Sequence, residues 1–205
     1  MIKAVIFDFG GVLCFHPDEA RWSRVAETAG MPVSEFMSAF WAHRINYDAG
    51  RLEPAEYWRG VLGPAFHEAE LPELVRGEIE LWNRYDQRIF DWIGQLRTAG
   101  LRTVILSNLP RVLGEELRRT PGFLDHFDHV TFSYELQKVK PDPEVYLDAI
   151  RGAGVEPSEA LFLDDRPDNV EVSISVGIPA VLYSTWENFS PAGYGLPVPA
   201  EARRQ

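Results

Sequence analysis

The chain has 205 residues, 45% of them hydrophobic and 25% charged, with a formal net charge of −11. That length can bury a large core in one domain, or in one domain with an insertion. The acidic balance speaks against non-specific binding to nucleic acid or a membrane surface, and no apolar run approaches the length of a membrane span. Cys14 is the only cysteine, which excludes an intramolecular disulfide and makes a reducing cytoplasm the expected compartment.

The first predicted strand runs from Lys3 to Phe9. Its Val/Ile/Phe run is nearly continuous, as in a central parallel strand covered on both faces. The run is too short for a signal peptide, and Asp8, Gly10 and Gly11 interrupt it at once. From about Pro17 to Tyr85 aromatic and aliphatic residues recur at helical spacing among charges, with breakers at Gly30-Met31-Pro32, Gly50, Pro54, Gly63-Pro64 and Pro72. This predicts about four short helices and no strands, with Ser34 and Glu53-Pro54 as helix starts. The aromatics Trp22, Phe36, Phe40, Trp41, Tyr47, Trp58 and Trp82 are expected to form mostly the core of this segment, with one or two facing a cleft.

Strand–helix alternation then resumes. A helix is expected over about Arg88–Ala99, a strand over Arg102–Ser107, a turn at Asn108-Leu109-Pro110 and a helix near Val112–Arg119. A strand His129–Phe132 leads into a polar loop as far as Pro143, and a helix covers Glu144–Gly152. The strand Ala160–Leu163 ends in Asp164-Asp165, a helix spans about Asp168–Val176, and a last strand covers Pro179–Leu182. The aromatic, Pro/Gly-rich stretch Trp186–Pro199 is expected to pack on the core or on a partner. Alternation of this kind implies α/β architecture, a Rossmann-like parallel sheet with right-handed crossovers. The helical segment after the first strand is then a small all-helical cap. Residues 1–15 and 86–205 form the core and 16–85 the cap.

In an open parallel sheet ligands bind beyond the carboxyl ends of the strands. The predicted ends bring Asp8, Ser107 and Asn108, Asp164 and Asp165 to one edge, with Lys138 and Lys140 on a loop before a helix. Several carboxylates without softer donors suit a hard cation, Mg²⁺ first. With one lysine such an ion can hold and neutralise a phosphoryl group, and a carboxylate can attack phosphorus to give an acyl-phosphate that water hydrolyses. Asp8 stands where such a nucleophile belongs, and Gly10-Gly11 allow a sharp turn and close approach to a ligand. Asp164 and Asp165, adjacent and following an apolar strand, repel each other unless a cation joins them.

FDFGGVL, ILSNLP, VKPDPEVY and FLDDRPDN resemble, in order and spacing, the four motifs of the haloacid dehalogenase-like (HAD) hydrolase superfamily. The helical segment resembles that family's cap, and the nearest subgroup is the small sugar-phosphate phosphatases and epoxide-hydrolase-linked phosphatase domains. The resemblance implies an enzyme, a phosphoric monoester hydrolase with Asp8 as nucleophile and metal ligand and Lys140 pairing with it. Ser107, Asn108 and Gly11 would bind substrate. Asp165 and the Gly10 carbonyl would ligate Mg²⁺, with Asp164 as second ligand or outer partner and Asp168 as support. The substrate implied is a small phosphorylated metabolite, with no nucleic-acid or membrane partner, and the chain a monomer or homodimer.

The departure is at Gly10, where the family's phosphatases usually carry a second Asp that protonates the leaving oxygen and then activates water. His16 lies near enough in sequence to reach the site. Two alternatives remain open: a degenerate, low-turnover member that binds a phosphorylated ligand or a protein, and a hydrolytic 2-haloacid dehalogenase, against which the paired acids count.

Overall fold

Five parallel strands form one sheet in the computed structural model, which describes residues 1–198. They are β1 (Ala4–Phe7), β2 (Arg102–Ser107), β3 (His129–Phe132), β4 (Ala160–Asp164) and β5 (Ala180–Leu182), in the order β3-β2-β1-β4-β5. β1 is central. All four of its side chains are fully buried, which is why its sequence does not alternate. It is shorter than the sequence predicts: the ladder ends with Phe7 opposite Ile105 and Leu163. Asp8 follows, its N–H still bonded to Leu163 O at 2.9 Å. β4 runs one residue further than expected and includes Asp164.

Six α-helices lie between β1 and β2, the first five being α1 (Glu19–Thr28), α2 (Val33–Ala42), α3 (Arg44–Asp48), α4 (Pro54–Leu62) and α5 (Leu71–Leu81). α6 (Gln87–Thr98) then returns to the sheet. α7 (Arg111–Arg119) follows β2, and a single turn, α8 (Ser133–Leu136), follows β3 inside the stretch the sequence reads as loop. α9 (Pro143–Ala153) and α10 (Pro167–Ser175) flank β4. Local chemistry starts several of these helices. Asp18 accepts from Arg21 N at 3.0 Å to cap α1, and Asp142 accepts from Glu144 N at 2.9 Å to cap α9. α4 begins where the sequence predicts, at Glu53-Pro54, with Glu53 N donating to Glu56 Oε2 at 2.9 Å. Ser34 does not start α2, because Pro32 sets the entry one residue earlier.

On one face of the sheet Ala4, Ile6, Val104 and Phe162 pack with Val145, Tyr146 and Ala149 of α9. On the other, Val5, Phe7, Ile105 and Leu161 belong with Ile89, Trp92 and Ile93 of α6 to a core that continues into the helical insertion. There Trp22, Phe36, Phe40, Tyr57 and Trp58 are buried, the Tyr47 and Tyr57 rings stacking at 4.0 Å. Trp186 and Phe189 of the C-terminal stretch lie 5.7 and 5.2 Å from the Trp92 ring, whose Nε1 donates to Pro197 O at 2.8 Å. That stretch therefore packs on the core; Pro199, its last residue, lies outside the described residues. No helix among the described residues is long and apolar enough to cross a membrane.

The chain passes between sheet and insertion twice, and the two passages run side by side. Cys14 and Tyr85 form an antiparallel bridge. Phe15 N donates to Arg84 O at 2.9 Å, and Asp86 N to Leu13 O at 3.0 Å.

Candidate active site

Three strand ends and one loop supply the polar groups at the carboxyl edge of the sheet. Lys140, on the loop before α9, is the hub. Its Nζ lies 2.7 Å from Asp8 Oδ1 and 2.6 Å from Asp164 Oδ2, and it donates to Leu106 O at 3.1 Å. Lys138 instead stays in solvent, 3.8 Å from Asp142. Asp8 Oδ1 also accepts the Phe9 N–H at 2.7 Å. Its Oδ2 has no hydrogen-bond partner among the described residues, so one carboxylate oxygen is anchored and the other is available.

Asp164 and Asp165 are adjacent but serve differently. Asp164, fully buried at the end of β4, has both oxygens occupied: Arg166 N at 2.9 Å and Asn169 Nδ2 at 3.0 Å on Oδ1, and Asn169 Nδ2 at 3.1 Å and Lys140 on Oδ2. It lies behind the lysine and fits the outer position. Asp165 faces the cavity, where its Oδ2 sits 2.9 Å from His16 Nε2. Asp168 stands at the rim, paired with Arg166 at 3.2 Å.

Ser107, at the end of β2, is buried and lines the cavity, and its hydroxyl makes no hydrogen bond among the described residues. Asn108 is occupied: its Nδ2 donates to Lys140 O at 3.0 Å and its Oδ1 accepts from Lys140 N at 2.7 Å, which holds the lysine loop in place. Gly11, expected to bind substrate, is not among the cavity-lining residues. Its N–H is used on Cys14 O at 2.8 Å, and a Cβ on it would come within 2.9 Å of the Asp165 carboxyl carbon. With φ at +78°, Gly11 serves the turn and its close packing. The Gly10 carbonyl takes no part in the hydrogen bonds closing that turn, which run from Gly11 N and Cys14 N.

The electrostatics follow from three acids around one ammonium. Burial raises Asp8 well above the usual carboxylate range; Lys140 pulls it back, and Asp164 and Asp165 push it further up. Burial opposes the charge on Lys140, but Asp8 and Asp164 outweigh it and hold the lysine protonated. Oxygen atoms of Asp8, Asp164 and Asp165 lie within 4.8 Å of one another. This all-oxygen set with surplus negative charge fits a hard divalent cation.

Above this floor lies a cavity of about 690 Å³ between the sheet edge and the insertion. Trp41, Arg44, Ile45, Asp48 and Trp82 line it from the insertion. The sequence does not show which aromatics face this cleft; the structure selects Trp41 and Trp82. Nor does the sequence show Asn169, the clamp on Asp164, or Ser133. The Ser133 hydroxyl accepts from Leu109 N at 2.9 Å and donates to Asp48 O at 2.5 Å, joining the loop after β2 to the insertion.

The model of the haloacid dehalogenase-like hydrolases matches residues 2–177. The chain belongs to this hydrolase family. A D-ribitol-5-phosphate phosphatase of Bacteroides thetaiotaomicron is 26% identical over an aligned length of 185 residues that covers 86% of this chain and 89% of that protein. A HAD-family enzyme from Bacteroides thetaiotaomicron, a variant solved in complex with magnesium and inorganic phosphate, superposes with a TM-score of 0.75 at 23% identity. The match covers 93% of this chain and 98% of that one. An L-2-haloacid dehalogenase of Xanthobacter autotrophicus, with chloropropionic acid covalently bound, gives a TM-score of 0.67 at 22% identity, covering 88% and 76%. The HAD-like fold therefore extends across almost all of the chain.

Proposed function

We propose that the protein is a Mg²⁺-dependent phosphatase of small phosphorylated metabolites, working through an aspartyl-phosphate on Asp8. The observation that carries this reading is the placement of Asp8: one oxygen anchored by Phe9 N–H and Lys140, the other available, among acids whose oxygens lie within 4.8 Å. Magnesium-bound relatives of the same fold and phosphatases of similar sequence support it. The ion would be held by Asp8, Asp165 and the Gly10 carbonyl, with Asp164 behind them, and when bound it would neutralise charge on the phosphoryl oxygens.

Lys140 and the Ser107 hydroxyl bind phosphoryl oxygens, and Asn108 positions Lys140 through its backbone. The Asp8 carboxylate attacks phosphorus, the bond to the ester oxygen breaks and the alkoxide leaves, taking a proton from solvent. Water then attacks phosphorus, which frees phosphate and restores the carboxylate. Gly10 offers no proton to the leaving oxygen, a contribution typically worth about 10²–10⁴-fold, so esters of acidic alcohols are the faster substrates. Residues 16–85 act as a cap over the cleft and 1–15 with 86–205 as the catalytic core, which favours small molecules over protein substrates.

A low-turnover binding role is the second reading, and one observation favours it: the Trp82 ring occupies the space beside Gly10. The acid trio speaks against the dehalogenase. The test is hydrolysis of p-nitrophenyl phosphate and a sugar-phosphate panel by wild type and Asp8→Asn, with Mg²⁺ or EDTA. Metal-dependent phosphate release lost in Asp8→Asn is the expected result. Absence of turnover on every ester despite Mg²⁺ binding favours the binding role.

A further inference from the structure

We infer that the site accepts a leaving group with a flat, largely apolar body, an aryl or fused-ring alcohol, seated against the indoles of Trp41 and Trp82. The inference rests on the phosphatase reading for the orientation of the ester. In that reading a side chain at position 10 faces the leaving oxygen, so whatever stands over Gly10 marks the leaving-group side. A Cβ on Gly10 would lie 3.1 Å from Trp82 Cζ3, 3.7 Å from Cε3 and 3.8 Å from Cη2. The wall beside the departing oxygen is therefore the carbon edge of an indole.

Trp41 extends this wall outward, its ring edge-on to Trp82 at 6.4 Å. It is fixed by Phe40 at 5.3 Å and Trp22 at 6.2 Å, yet it is 46% exposed. A large indole held rigidly by neighbours and left uncovered toward a cavity is preorganised for contact with an apolar partner. Ile45 beside it is 67% exposed, and Leu113 and Val139 line the core side.

On the same wall two of the three Arg44 guanidinium nitrogens are already committed inside the insertion. Arg44 has Nη1 on Glu78 at 2.5 Å and Nε 2.7 Å from Asp48 Oδ1, and its guanidinium lies 4.8 Å from the Phe40 ring centroid. A cavity of about 690 Å³ leaves room for a ring system beyond the phosphoryl group.

Binding of non-hydrolysable phosphonates tests this without turnover. With Mg²⁺ present, calorimetry compares 2-naphthylmethylphosphonate with ethylphosphonate in wild type, Trp41→Ala, Trp41→Phe and Ile45→Asp. Wild type is expected to prefer the naphthyl compound by about 10- to 100-fold. Trp41→Ala and Ile45→Asp are expected to lose most of that preference with ethylphosphonate binding changed less than about twofold, and Trp41→Phe to retain most of it. Equal binding of the two phosphonates, binding of neither, or a preference that survives both Trp41→Ala and Ile45→Asp overturns the inference. 2-Naphthylmethyl phosphate and ethyl phosphate, both leaving as alkoxides, are assayed in parallel. A naphthyl preference in binding with no hydrolysis of any ester leaves the subsite standing and removes the phosphatase reading.

Discussion

At the scale of single residues, Gly10 and Trp82 are one feature. Restoring an acid at position 10 is not a simple gain, because the first carbon of its side chain already meets the Trp82 ring at 3.1 Å. Gly10→Asp alone is expected to raise turnover of poor leaving groups by less than about tenfold. Gly10→Asp with Trp82→Phe, which gives the carboxyl room, is expected to recover a larger part of the 10²–10⁴-fold typical of general acid–base help; kcat on an alkyl phosphate measures both. Asp165 supplies a second prediction. Mg²⁺ is expected to raise the Tm of wild type, by about 2.7 kcal/mol of stability at 100 times Kd. EDTA should reverse the effect, and Asp165→Asn should remove most of it. Asp8 and Asp165 stand out in the sequence because each follows an apolar strand at the same sheet edge, and Lys140 because it opens the KPDPEVY stretch. Trp82 does not, because nothing local in LWNRYD shows which way the indole turns once α5 ends.

At the scale of elements, α2 to α5 are held together around a buried ionic cluster. Arg44 of α3 is 5% exposed and lies between Asp48, one turn on, and Glu78 of α5, which is fully buried. Tyr47 adds a hydrogen bond to Glu78 at 3.2 Å. Removing one partner of such a group strands the other, so Glu78→Ala is expected to cost about 3–5 kcal/mol in denaturant unfolding. Burial pushes Asp48 up to about 6 from an ordinary 3.8, against the pull of Arg44 and with the push of Glu78. The folded state therefore binds that proton more tightly than the unfolded chain does. Asp48's contribution makes stability fall as pH rises from about 4 to 6, by roughly 3 kcal/mol at most, and burial raises Glu78 in the same sense. Tm measured across that range should flatten in Asp48→Asn. The aromatic spacing makes these helices legible in the sequence. The ion cluster is not, since isolated charges in an amphipathic segment read as a solvated face until α3 and α5 are known to cross.

At the scale of the whole molecule, the order of strands and helices is legible from alternation alone. The docking of insertion on core is not, because it depends on α8, a single turn within an apparent polar loop. Gly50 has φ at +67°, and a Cβ there would lie 2.7 Å from the Tyr134 carbonyl oxygen. Arg51 Nη2 donates to Gln137 O at 3.0 Å beside it. Backbone against backbone cannot yield as a side chain can, so Gly50→Ala is expected to lower stability by about 1–3 kcal/mol. It should also speed proteolysis between the two parts; chemical denaturation and limited digestion measure these.

The paired passages at Leu13–Phe15 and Arg84–Asp86 also determine how the two parts can move. Two straps joined by their own hydrogen bonds resist twisting more than bending, so an insertion acting as the proposed cap would swing about one axis, like a lid on a strap hinge. Cys14 belongs to this strap and also to the turn after Asp8, with its N–H on Phe9 O at 2.9 Å and its carbonyl accepting from Gly11 N at 2.8 Å. In the proposed reading a swing of that lid would be levered onto the loop that carries Asp8, so opening the cavity would also loosen the grip on the carboxylate.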